Sequence, residues 1–138
     1  MKSDRGSVTI WMLGLSVLLL LFGGLAVDFW RALALQRELA AVADSAAVAA
    51  ASGIDEEHYR LTGEVVLESD RVRALADSSI GSQDLDLDAV DVQLSSDLSA
   101  VTVSVADSLD LGLLGVFVDQ AEPLTIQAAS TASPRLVP

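Results

Sequence analysis

Hydrophobic and polar positions divide this chain into three regimes. The first runs from Gly6 to Val27, 22 residues without a charged side chain, its middle reading VLLLLFGGLAV. At about 1.5 Å per residue, a helix of that length spans roughly the 30 Å hydrocarbon core of a bilayer. Trp11 falls near one edge and Phe29-Trp30 just past the other, where amphipathic rings suit the headgroup layer. A core helix of a soluble protein would keep a polar face over such a length. The stretch predicts a membrane span. A cleaved secretory signal is the rival reading, with Lys2 and Arg5 as its basic start and Gly24-Leu25-Ala26 as a small-x-small junction. Signal cores are usually only about 7–15 residues long, which favours retention.

The second regime, Phe29 to Ser52, has no proline or glycine and is dominated by alanine, the best helix former. Leu35, Leu39, Val42, Ala46 and Ala49 recur at steps of four and three, a single helical stripe, with Arg31, Gln36, Arg37, Glu38 and Asp44 between them. Ser52-Gly53 supplies a stop. One helix is therefore predicted from Ser7 to Ser52, with Gly23-Gly24 its one candidate kink. Its second half should pack through small side chains that let a sheet approach closely.

The third regime alternates. Asp55 is placed to cap a turn or short helix over Ile54–Arg60, Glu64–Leu67 reads as a short strand, and a helix capped by Ser69 or Asp70 should cover about Arg71–Ser79. Gly81-Ser82-Gln83 is a loop. Val90, Val92 and Leu94 predict a half-buried strand, Ser95-Ser96-Asp97 a turn, and Val101, Val103 and Val105 a second strand. Residues 107–122 form an excursion weakened by Gly112 and Gly115, and Pro123 opens a last strand in which Leu124, Ile126, Ala128 and Ser130 share a face. The fold class is α+β: a long helix packed on a small antiparallel sheet, with one or two short helices. The expected organisation is a basic leader (1–6), a membrane helix (7–27), its extracytoplasmic continuation (28–52) and a small acidic domain (53–138).

Composition sharpens this picture in three ways. The 86 residues after Ser52 lie near the lower limit for a self-sufficient core, so the domain gains by borrowing a helical face. Cysteine is absent, which excludes disulfides and thiol chemistry. The net charge of −12 becomes −13 from Asp28 onward, a potential that repels nucleic acid. Lys2, Arg5 and the amino terminus outweigh Asp4 before the span, whereas Asp28, Arg31, Arg37 and Glu38 cancel after it. The positive-inside bias thus predicts a single pass with a cytoplasmic amino terminus.

Three short runs carry a resemblance. Arg5-Gly6-Ser7-Val8-Thr9 leads into the apolar stretch, Ala26-Val27-Asp28 ends it, and Ala43-Asp44-Ser45-Ala46-Ala47-Val48-Ala49-Ala50-Ala51 follows. The chain resembles the TadE/TadG-like proteins of the tight-adherence (Flp) pilus over roughly Arg5 to Ser52, with the Asp28/Asp44 spacing its most specific feature. The resemblance implies a pilin-like architecture and a minor structural role in a pilus assembly or secretion apparatus of a bacterial cytoplasmic membrane. It implies as partners the lipid bilayer and other pilin-like subunits or Tad assembly proteins. It also makes Gly6-Ser7 a candidate prepilin-peptidase junction. Processed pilins usually carry glutamate five residues after the cut, where this chain has Trp11, so the leader is expected to be retained or cut inefficiently. The metal-binding D-x-S-x-S motif of larger TadG proteins is broken here, where Asp77-Ser78-Ser79-Ile80-Gly81 ends in glycine.

Candidate chemistry is sparse. Asp84, Asp86 and Asp88 start like a calcium loop, but Ala89 and Ser95 stand where an EF-hand needs glycine and a bidentate glutamate. The favoured reading is a solvated start to the following strand. His58 is the single histidine, too little for the usual zinc site. No nucleophile motif or phosphate loop occurs, and neither an enzyme, a cofactor nor a small-molecule substrate is expected. Asp28, Arg31, Arg37 and Asp44 are the helix-interaction candidates: structurally, Asp28 would pair with Arg31 and Asp44 lie on the side of Arg37; functionally, they would meet a neighbouring subunit. A membrane-tethered extracytoplasmic binding module is the alternative function.

Overall fold

A computed structural model describes residues 5–83, 85–112 and 122–135. Most of the leader, Asp84, the middle of the 107–122 excursion and the last three residues lie outside the described residues. The chain divides into two compact units. One comprises residues 1–34 and 109–124, the other 35–108 and 125–138.

The predicted long helix is α1, Arg5–Ala50, 46 residues running unbroken through Gly23-Gly24. In the first unit its large apolar side chains, from Val8 and Ile10 to Phe29 and Trp30, are exposed. By length and composition α1 can cross a membrane.

In the second unit the same helix is a core element. Leu39, Val42, Ala43, Ala46, Ala47 and Ala50 are buried, and Leu35 packs partly against them. Ala49, expected on this stripe, is only half-buried. The reason is helical geometry: at about 100° per residue, Ala50 lies about 20° from Leu39 around the axis, whereas Ala49 lies about 80° away. The helix closes with tightened bonds, Ser52 N–H to Ala49 O at 3.1 Å and Gly53 N–H to Ala50 O at 2.9 Å. Gly53 is required there, because a Cβ would sit 3.0 Å from Val72 N and 3.1 Å from Ala50 O.

Helix α2 (Glu56–Thr62) follows, with Asp55 as its cap: the carboxylate accepts the His58 N–H at 2.9 Å, an arrangement worth about 1 kcal/mol. The expected strand at 64–67 shrinks to one antiparallel bridge, Ile54 with Leu67. Its partner is the brief extended corner between α1 and α2, too short for a ladder. Helix α3 (Ser69–Gly81) starts two residues before the expected Arg71 and takes in Gly81, so Ser69 and Asp70 lie in its first turn rather than at its cap. Glu68 is the cap residue and makes no side-chain cap bond. Tertiary backbone bonds hold this corner instead: Glu68 N–H reaches Gly53 O and Leu67 N–H reaches Leu98 O, both at 2.9 Å. Val72 and Ala76 face inward.

The sheet has the order β1-β2-β3 (Ala89–Leu94, Val101–Leu109, Leu124–Ala132). It is antiparallel, with Val90 opposite Val105, Val92 opposite Val103 and Leu94 opposite Val101. Val101, Val103 and Val105 are buried against Leu67, Val72, Ala76 and the alanines of α1. Small helical side chains bring the backbone close enough for the valines of β2 to fill the interior. Val90 departs from the expected half-buried pattern and is exposed. The predicted turn after β1 is present, with Leu98 N–H bonded to Ser95 O at 3.0 Å and Leu98 itself at φ 54°. β2 extends into the expected excursion as far as Leu109.

Candidate functional site

Near the end of the exposed apolar part of α1 lies a carboxylate that is not exposed. Asp28 is 4% accessible, and one helical turn earlier Gly24 is also buried. The Gly112 N–H donates to Asp28 Oδ1 at 3.2 Å, across 84 residues of sequence. A Cβ at Gly112 would lie 3.3 Å from that oxygen and 3.2 Å from Arg31 Nη1, so glycine lets the backbone approach the carboxylate without displacing either group. Asp28 is thus engaged by its own chain. The sequence singles out Asp28, yet nothing local to it points to Gly112, because the pairing depends on where the chain returns after β2.

The other helix candidates lie in different surroundings. Arg31 and Arg37 are exposed. Asp44, also exposed, accepts the Ser130 hydroxyl of β3 at 3.1 Å, and its neighbour Ser45 accepts from Gln83 Nε2 at 2.8 Å. These two contacts tie α1 to the last strand and to the end of α3. Neither Ser130 nor Gln83 stands out in the sequence as a partner for the helix; both meet it only because strand and helix ends converge there. Asp28 belongs to the first unit and Asp44 to the second.

Asp84 lies outside the described residues, and Asp86 and Asp88 are exposed. Among the described residues no group of three or more histidine or acidic side chains is arranged to hold a metal ion. The half-buried His58 approaches the exposed Glu64 at 3.9 Å. Ser7 is exposed within the first turns of α1. Asp97, in the turn after β1, is held well below the ordinary carboxylate range: hydrogen bonds from Ser95 and then Ser99 lower its pKa to about 2.

The contacts described involve one long helix from end to end. Its start carries exposed apolar side chains, its middle a buried carboxylate, and its end the core of a small domain. No curated protein and no solved structure matches the chain. Residues 6–53, almost coincident with α1, do match a family model described as putative Flp pilus-assembly TadE/G-like. Over that segment the chain is similar to TadE/TadG-like proteins, in the same stretch as the runs around Gly6, Asp28 and Asp44.

Proposed function

We propose that this chain is a minor pilin-like structural component of a Tad/Flp-type pilus assembly or secretion apparatus, anchored by a single pass. The observation that carries this reading is the coincidence of the matched segment with α1, a helix apolar and exposed over Val8–Trp30 and domain-building from Leu39. Left in water, such a row of Leu, Val, Phe and Trp side chains would expose an apolar surface far beyond what soluble monomers carry. In a bilayer those side chains are solvated by lipid. The bias of Lys2 and Arg5 orients the amino terminus to the cytoplasm and residues 53–138 outside it. The chain would work by positioning, through helix contacts with other assembly subunits, and not by catalysis. Trp11 supports a leader kept intact, since a new amine at Ser7 would enter the membrane without the usual glutamate to pair it.

The test combines assembly with topology. In a host that builds Tad pili, deleting the gene should abolish or reduce piliation, and the full chain should restore it whereas a chain lacking residues 6–27 should not. Reporter fusions after residue 60 should be active only outside the cytoplasm. Normal piliation in the deletion strain would defeat the assembly role, and cytoplasmic activity of the fusions would defeat the orientation. Intact-mass measurement checks the leader: a dominant species beginning at Ser7 contradicts its retention.

A further inference from the structure

The two edges of the sheet are built differently. β1 is six residues long, carries Asp91 and is preceded by Asp86 and Asp88. Shortness and charge are the devices by which proteins keep edge strands from pairing with other chains. β3 lacks both: LTIQAASTA is nine residues without a charge or a proline. Among the described residues the sheet ends at β3, so the backbone groups on its outer side face no further strand. Alongside its last residues lies a groove of about 660 Å³, bordered by Asp44, Val48, Ser52, Ile54, Thr131 and Arg135.

We infer that β3 pairs antiparallel with β3 of a second copy of this chain, joining the two sheets into one. Charge selects this occupant. From Asp28 onward the chain carries a net charge of −13, so two copies repel except where each presents an uncharged surface. β3 is such a surface, and its flanks are self-complementary. Pro123 and Pro134 bound the strand on both sides and limit pairing to the residues between them. In the symmetric register about Ala128, Thr125 opposes the second copy's Thr131 and Gln127 its Ala129. The acidic flank at Glu122 then falls beside the basic flank at Arg135 of the second copy, twice by symmetry. An isologous contact of this kind closes at two copies.

The chain has no cysteine, so the register can be tested by placing them singly in the full-length protein in lipid nanodiscs or detergent. Gln127 and Ala129 are both exposed. A mixture of Gln127→Cys and Ala129→Cys chains should form crosslinked dimers severalfold more than either variant alone, and more than Asp91→Cys on the opposite edge. Without crosslinking, Glu122→Arg or Arg135→Glu should lower the dimer fraction severalfold in sedimentation, and the double exchange should restore it. Glu122→Arg is the decisive arm, because it lowers the overall negative charge and would strengthen any dimer limited only by general repulsion. A monomer at all concentrations, crosslinking without preference for the mixed pair, or indifference to the charge exchange would each overturn the inference. The pairing requires only the folded chain, so its failure is distinguishable from failure of the pilus-assembly reading.

Discussion

The two halves of α1 have the same backbone and opposite relations to their surroundings. Between Val8 and Trp30 the large side chains are Leu, Val, Ile, Phe, Met and Trp, and they are exposed. Between Leu39 and Ala50 most inward positions are alanine, and they are buried. Bulk therefore does not report burial in this protein. On the proposed membrane reading, the first half needs apolar area to partition into lipid at any rotation about its axis, which its greasiness on all sides supplies. The second half needs one face that β2 and α3 can approach closely, so it replaces bulk with methyl groups and puts charge on the other face. Alanine serves both purposes there, since it also has the highest helix propensity.

The sharpest way to break this comparison is to place one kind of insult in each half. Ala46 is fully buried among Val and Ala side chains. Ala46→Glu buries a carboxylate with no partner and should destabilise the second unit by several kcal/mol, read by chemical denaturation of the full chain in detergent. A melting transition like that of the parent would mean the stripe is not a core. In the first half, Leu20→Arg should leave that transition unchanged and weaken membrane retention instead. An arginine at the centre of a span costs roughly 2.5–3.5 kcal/mol in insertion, and extraction with alkaline carbonate would detect the loss. If Leu20→Arg lowered the domain's stability and left retention intact, the assignment of the halves would be reversed.

Much of this division was legible from residue order. The uncharged run, the alanine stripe, the Asp55 cap and the valine alternation of β2 each follow from local patterns. What was not legible depended on distant pieces of chain. Glu64–Leu67 has strand-like residues, but only a brief corner is available to pair with it. Ser69 and Asp70 are good caps, yet the backbone bonds of Leu67 and Glu68 fix the start of α3 earlier. From the sequence, Asp28 marks the membrane exit, placed to pair with Arg31. In the structure it is buried, and the Gly112 N–H reaches it. No periodicity in the sequence encodes that contact.

Asp28 sharpens the comparison at the point where the first half ends. Asp28→Asn keeps an oxygen acceptor for the Gly112 N–H, whereas Asp28→Ala removes it. Loss of that bond should cost about 1 kcal/mol, with faster amide exchange at Gly112 in the alanine variant and near-normal exchange in the asparagine variant. Equal exchange in both would show that the carboxylate's charge, rather than its acceptor geometry, holds the 109–112 segment.

The smallest expected effect lies in the second unit, at the turn between β1 and β2. Ser99 donates both its N–H, at 3.3 Å, and its hydroxyl, at 2.8 Å, to the Asp97 carboxylate. With the Ser95 contact, these bonds lower the pKa from 3.8 to about 2. A carboxylate whose folded pKa is depressed adds stability that is fully present above its unfolded value and lost as pH falls through the folded one. The contribution should therefore be intact above pH 4 and disappear between about 4 and 2. Because Asp97 is fully exposed, solvent screens it, and the signal belongs in a local titration rather than a global melt. The Asp97 carboxyl resonance should titrate near 2. Asp97→Asn should remove the matching acid-induced rise in amide exchange at Ser99, where other carboxylates leave a background common to both proteins. A midpoint near 4 would mean that the bonds from Ser95 and Ser99 to the Asp97 carboxylate do not persist in solution, and that this turn is held by the backbone bonds of Ser95 with Leu98 and Ala100 and by the Ser95 hydroxyl, which accepts the Ser99 and Ala100 N–H groups.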